Sequence, residues 1–250
     1  MQSVALKLRL SRTARLQFAI FGFAYLLYSA ARYITVGDLS TAQAHAEWIV
    51  NLERSLGVYT EAGVQHTLTG TPAIWILNHL YLAAQLVVLP GSLIWLYHRS
   101  RPTYEKLRNT VLATWLISIP VYALYPVAPP RLAHIGLIDT ITSQSGFSMD
   151  SSLTTSFYNQ LAAVPSLHVG FAVAIGIAIA SVLRNPIAKG IALMWGPTIG
   201  LAVVATGNHF IFDIAAGIVA SGLGYLLGVA VTRPRRQWEL GPALAAAANS

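Results

Sequence analysis

The chain is 250 residues long, enough for one domain, and its 55% hydrophobic against 10% charged content excludes an ordinary water-soluble fold and points to lipid as its main solvent. It contains no cysteine, which excludes disulfides, thiolate metal centres and cysteine nucleophiles and leaves any chemistry to His, Asp, Arg and Ser. The net charge of +7 suits a nucleic acid or a membrane, and the placement of the basic residues selects the membrane and argues against nucleic acid.

A spanning helix needs about 20 predominantly apolar residues, and the sequence offers six: residues 16–36, 72–97, 109–127, 161–183, 187–207 and 210–231. The first follows Lys7, Arg9, Arg12 and Arg15, but no small-residue cleavage site follows Tyr25-Leu26-Leu27, so it reads as a retained anchor. Residues 38–71 set Ala44, Trp48, Ile49, Leu52 and Leu56 at helical spacing, with Glu47, Glu53 and Arg54 between them. That pattern predicts an amphipathic helix on the outer surface. Residues 128–160 are rich in Pro, Ser and Thr without a strong period, a loop that is either a mobile cover or a connector. The alanine-rich residues 238–250 read as a disordered cytoplasmic tail. With no internal repeat and no soluble second domain, residues 1–237 read as one all-α, polytopic membrane domain: a bundle of six transmembrane helices plus the outer amphipathic helix.

If the N-terminus is cytoplasmic and the chain crosses six times, the inner segments hold 13 of the 16 basic residues and the outer ones seven of the nine acids. This bias fixes the expected orientation, with both termini cytoplasmic and one face outward, in an integral protein of the plasma membrane.

Ionisable groups near the edge of a span are candidates for a site, and four features share the outer side. His209 and Asp213 open the sixth span four residues apart, one helical turn, so their side chains share a face. A carboxylate behind one imidazole nitrogen leaves the other free as a base or nucleophile; taken alone, the pair equally suits two polar groups satisfying each other between helices. Pro165-Ser166-Leu167-His168 suits the first turn of the fourth span, where amide groups and the Ser166 hydroxyl favour an anion and His168 can protonate a departing alkoxide. Arg131 follows the prolines at 129 and 130 and offers a fork of donors that fits phosphate. Together these residues make a phosphoryl-transfer set that requires no metal. A zinc site on two histidines and one aspartate would leave Arg131 beside a cation. Asn78, His79 and Gln85 in the second span read as a polar network in the core, while Asn208 and His79 are candidates for a supporting layer around the site.

These residues resemble the membrane branch of the type 2 phosphatidic acid phosphatase superfamily. Pro165-Ser166-Leu167-His168 and His209-x3-Asp213 match its Pro-Ser-x-His and His-x3-Asp motifs in order and separation, and Ala128-Pro129-Pro130-Arg131 is similar to the branch related to inositol phosphorylceramide synthase. The resemblance implies that His209 forms a phosphohistidine, Asp213 orients it, His168 assists the leaving group, and Arg131 and Ser166 hold the phosphate, without a cofactor. The implied partners are a lipid phosphate or phospholipid and either an alcohol acceptor or water; the oligomeric state stays open. Two departures stand out. The superfamily's Lys-x6-Arg-Pro has no outer counterpart, since Arg101-Pro102 and Arg233-Pro234 fall on the cytoplasmic side, and its Ser-Arg pair is replaced by Ala202 and Val203. A thinner phosphate grip favours a singly charged phosphodiester, hence a transferase over a lipid phosphate phosphatase. A non-enzymatic lipid transporter would carry polar groups across the whole bilayer depth, and here they cluster on one side.

Overall fold

A computed structural model of the chain describes residues 12–34, 37–147 and 159–231. Lys7 and Arg9, residues 148–158 of the predicted outer loop, and everything after 231, including Arg233-Pro234 and the 238–250 tail, lie outside the described residues. In chain order the helices are α1 (Arg12–Ile34), α2 (Leu39–Ser55), α3 (Glu61–Leu68), α4 (Pro72–Arg99), α5 (Arg101–Leu124), α6 (Thr140–Gln144), α7 (Leu167–Val182), α8 (Pro186–Ala205) and α9 (Ile211–Val231). Among the described residues there is no strand, only one parallel bridge between Val127 and Ala162.

Local chemistry sets the ends of these helices. Asp38 accepts the Thr41 amide at 3.0 Å at the start of α2, and Asn185 accepts the Ile187 amide at 2.8 Å at the start of α8, each satisfying a donor the helix leaves orphaned. Prolines stand in the first turns of α4, α5 and α8, where the missing N–H costs nothing. α4 runs unbroken through a wider turn at Ala84–Val88, just before Pro90, which has no amide to give the carbonyl behind it.

Among the described residues, four helices are long and apolar enough to cross a membrane: α4, α5, α8 and α9. The sequence counts six; the two others fall short for different reasons. In α1 the apolar stretch is confined to Ala19–Ala31. α7 has 16 residues, about 24 Å at 1.5 Å each, because residues 161–166 are extended and turned where the hydropathy pattern continues the helix. Conversely α5 starts at Arg101, not at 109: hydropathy drops its basic first turns, whereas helical hydrogen bonding does not. Arg101 lies over the Tyr97 ring at 3.4 Å, which seats that turn.

α7 is the central helix. Its Val169 and Ala172 join a core with α4 and α8, and its Leu167, Phe171 and Ile175 join a second with α1, α4 and α5. Phe21, Tyr25 and Tyr28 of α1 gather round Trp115 of α5. Large apolar side chains such as Leu86, Leu116, Ile187 and Val231 stand exposed on the outside of the long helices, as expected where the solvent is hydrocarbon. Small residues let α9 approach its neighbours closely: a Cβ at Gly224 would lie 2.2 Å from Thr114 Oγ1 and 2.9 Å from the Thr110 carbonyl of α5.

The segment predicted as one amphipathic helix is two, α2 and α3, separated by a turn at Gly57, where φ is +69°. Its buried face differs from the predicted stripe. The buried face of α2 is Ala42, Ala46, Ile49, Val50 and Glu53, while the predicted apolar stripe leaves Ala44, Trp48 and Leu56 exposed. Residues 125–128 are stitched to this face and to the start of α7: the Ala128 amide donates to the Ala42 carbonyl at 3.0 Å and the Val127 amide to the Leu161 carbonyl at 2.9 Å.

Replacing Gly224 by Val should force α5 and α9 apart and cost about 1–3 kcal/mol, read as a lower melting temperature in detergent. Gly222→Ala, where nothing lies within 4 Å of an added Cβ, should leave the melting temperature unchanged or slightly higher; equal losses in the two variants would contradict this packing.

Candidate active site

The end of α8 shapes the site. Thr206 closes the helix, and Gly207 adopts φ +70°, which allows its amide to donate to the Val204 carbonyl at 3.0 Å and that of Asn208 to the Val203 carbonyl at 3.0 Å. This paired closure satisfies the last carbonyls of α8 and turns the chain sharply. Only glycine fits: a Cβ at 207 would lie 2.7 Å from the Ile138 carbonyl oxygen. His209 thus precedes α9 instead of opening it, and it meets Asp213 across the helix start. His209 Nδ1 lies 3.2 Å from Asp213 Oδ2, and the same oxygen accepts the Phe210 amide at 2.9 Å. A carboxylate only accepts, so Nδ1 carries a proton, and in the neutral imidazole Nε2 keeps its lone pair.

α7 brings the second element. The Ser166 amide donates to the Asp213 carbonyl at 3.0 Å, and a Cβ at Gly217 would lie 2.2 Å from the Ser166 carbonyl oxygen, so the helix starts touch through backbone alone. The Tyr122 hydroxyl donates to the Pro165 carbonyl at 2.9 Å. His168, the second residue of α7, stacks on Tyr81 of α4 with ring centres 4.0 Å apart, and its ring centre stands 6.0 Å from that of His209.

Arg131 completes the group. Its amide donates to the Gly207 carbonyl at 2.9 Å, its Nε donates to Asn208 Oδ1 at 3.1 Å, and its Nη1 stands 3.7 Å from Asp139 Oδ2. Asp139 is held by capping α6, accepting the Ile141 amide at 3.0 Å. Two donors are left over. Among the described residues, Arg131 Nη2 and Ser166 Oγ are buried and have no hydrogen-bond partner, although both residues border the 207–213 segment. Buried donors are nearly always satisfied, so each of the two can take a further acceptor.

The predicted residues His209, Asp213, His168, Arg131, Ser166 and Asn208 therefore converge. His79 does not join them: its Nδ1 hydrogen-bonds the Trp75 carbonyl at 2.8 Å and its ring stacks on Trp75, within its own helix. Asn78 instead binds α6, donating to the Thr140 carbonyl and accepting from the Thr140 hydroxyl, both at 2.8 Å. Ala202 and Val203 are fully buried in α8 and supply no charge.

Three supporting residues escape a reading of the sequence. Gln65 of α3 donates to the carbonyls of Ile138 and Ala205 at 3.0 and 3.2 Å and accepts the Ile138 amide at 2.9 Å. Glu61 Oε1 accepts the Ile211 amide at 2.9 Å, and Glu53 Oε1 accepts the Phe212 amide at 2.7 Å. Both glutamates are buried. Burial first, and then the hydrogen-bonded Glu61 carboxyl, push the Glu53 carboxyl up to about 8, with the Phe212 amide opposing them.

A family model for the PAP2 superfamily matches residues 47–227. The chain belongs to the PAP2 superfamily. The match takes in α3 to α8, most of α2 and α9, and all the residues above. No curated protein and no solved structure matches the chain. With four apolar helices long enough to span a bilayer, this PAP2 chain is an integral membrane protein. Members of this superfamily are typically phosphatases or phosphotransferases acting on phosphate-bearing substrates, which makes the converging residues an enzyme's candidate site.

Gly207→Ala should destabilise the protein more than Gly57→Ala. Both positions have φ near +70°, but an added Cβ meets the Ile138 carbonyl only at 207. Backbone strain is common to both, about 1 kcal/mol, so the difference in melting temperature reads the clash alone; equal losses would show that the turn does not hold the 138 segment.

Proposed function

We propose that this PAP2 enzyme is an inositol phosphorylceramide synthase-like phosphotransferase that moves the phospho-headgroup of a lipid through a phosphohistidine. The observation that carries this reading is the pair of buried donors without a partner among the described residues, Arg131 Nη2 and Ser166 Oγ, together with a histidine backed by a carboxylate at 3.2 Å.

In this reading the phosphodiester sits with its oxygens on Arg131 and Ser166, charge-assisted bonds in a water-poor site. His209 Nε2 attacks phosphorus, and the bond from phosphorus to the departing lipid oxygen breaks. Asp213 stabilises the imidazolium that forms. His168 gives its proton to the leaving alkoxide and then recovers one from the acceptor hydroxyl, which attacks phosphorus as the bond to His209 breaks. The absence of charge at Ala202 and Val203 supports a singly charged diester as substrate, because a dianionic monoester calls for more positive groups.

The same reading extends to the membrane. α1 and α7 complete six crossings with the four long helices, residues 1–237 form one domain, and the exposed stripe of Trp48 and Leu56 sets α2 in the outer interface. The charge bias puts the termini in the cytoplasm and the site at the outer face of the plasma membrane.

Supplied with phosphatidic acid, or with phosphatidylinositol and a ceramide acceptor, the protein should transfer headgroup in the second case and release little phosphate in the first. Phosphate release alone would replace the transferase with a hydrolase. His209→Ala should lower turnover by at least about 1,000-fold while the protein still inserts and melts normally; unchanged turnover would remove His209 from the chemistry. Because the chain lacks cysteine, Ser143→Cys gives a single thiol, which a membrane-impermeant reagent should label on intact cells; protection would invert the orientation.

A further inference from the structure

The start of α9 is gripped by three carboxyl groups. Asp213 takes the Phe210 amide at 2.9 Å, Glu61 takes that of Ile211 at 2.9 Å, and Glu53 takes that of Phe212 at 2.7 Å. Glu61 also accepts the Thr60 amide at 2.9 Å through its other oxygen. Both glutamates come from outside α9, on α2 and α3, and their residual exposures are 2% and 0%. Carboxylates at a helix start complement its dipole, but two that touch one another out of water cannot both stay charged cheaply. The carboxyl of Glu53 lies against that of Glu61, and Glu53 Oε2 is buried and receives no bond from any donor among the described residues. One proton held between the two acids accounts for both facts.

We infer that Glu53 and Glu61 are positioning residues for the His209–Asp213 pair: sharing one proton, they clamp the first amides of α9, and loss of that proton loosens the helix start that aims His209. The inference rests on the reading of His209 as nucleophile. The titratable groups that face Glu53 are Glu61 on α3, Asp213 on α9 and Tyr59 in the turn between α2 and α3. Arg54 lies over the Tyr59 ring at 4.9 Å, and His209 stands beyond Asp213. Ionising the pair places a second negative charge next to Asp213 with no cation bonded to either glutamate among the described contacts.

The direction of the pH effect follows from the proton count. Folding raises the Glu53 carboxyl from 4.5 to about 8, so between these values the folded chain holds a proton that the unfolded chain has released. Stability therefore falls as pH climbs through that window and levels off above it. Turnover should fall on the same alkaline limb. Glu53→Gln separates this device from mere packing, since its amide oxygen still accepts the Phe212 amide and its nitrogen can donate to Glu61, fixing the protonated arrangement.

The test compares full-length wild type, Glu53→Gln and Glu53→Ala in lipid nanodiscs. Melting temperature and turnover of phosphatidylinositol with a ceramide acceptor, or of phosphatidic acid, are followed from neutral to alkaline pH. Wild type should lose melting temperature and kcat together as the pH rises. Glu53→Gln should match its neutral kcat and lose the alkaline limb, and Glu53→Ala should drop kcat by about 100-fold with little change in KM. Superposable pH profiles for wild type and Glu53→Gln would overturn the proposal, as would full activity in Glu53→Ala. If Glu53→Ala does not fold, Glu53→Gln still decides. Should neither substrate be turned over by wild type, the assigned reaction fails on its own account, while the melting profiles of wild type and Glu53→Gln still accept or reject the shared proton.

Discussion

The contact on which the rest of this structure depends is the meeting of two helix starts, α7 and α9, through backbone alone. The Ser166 amide donates to the Asp213 carbonyl at 3.0 Å, and a Cβ at Gly217 would fall 2.2 Å from the Ser166 carbonyl. No side chain separates the two segments, so Ser166 and His168 on one and His209 and Asp213 on the other occupy a common end of the bundle. Helix association in a bilayer gains little from burying apolar surface and depends on close packing and polar contacts. A glycine at 217 supplies the first and the Ser166 amide the second. Because α7 lies between both apolar cores, a shift of its start is transmitted to α4, α5 and α8.

Around that joint, polar groups face inward and are nearly all paired. Asn208 holds Arg131, Asp139 steadies it, Gln65 ties α3 to the end of α8, and the glutamates hold the start of α9. The exceptions carry meaning because they are few. Among the described residues near the site, Arg131 Nη2 and Ser166 Oγ are donors without an acceptor, whereas Glu53 Oε2 and Asp213 Oδ1 are acceptors without a donor. The first kind suits an anionic ligand and the second a titrating pair.

How much of this is legible in the sequence depends on what kind of signal each residue carries. His209-x3-Asp213, Pro165-Ser166-Leu167-His168 and Ala128-Pro129-Pro130-Arg131 are local patterns, and the structure brings their side chains to one place. The mechanism of the His209–Asp213 contact differs from the expectation: it spans a helix start shaped by Gly207, not one turn within a helix. Glu53 and Glu61 were hidden by a physical ambiguity. Periodicity shows that a helix has two faces but not which one is inside. In α2 the inner face is Ala42, Ala46, Ile49, Val50 and Glu53, while Trp48 of the predicted stripe stands out. An acid thus lies on the inward face, where the sequence pattern does not place it. The bounds of the fourth predicted span suffered from the opposite limit, since hydropathy continues through 161–166 where the backbone of α7 has not yet begun.

The central claim is that His209 carries the phosphoryl group, and the most direct measurement is to quench the enzyme during turnover of a slow, phosphate-labelled lipid and map the label. The account predicts a label on His209 that is lost in acid, survives base, and is absent from His209→Ala. Turnover without any label on His209, or a label that persists on another residue when His209 is replaced, would contradict it.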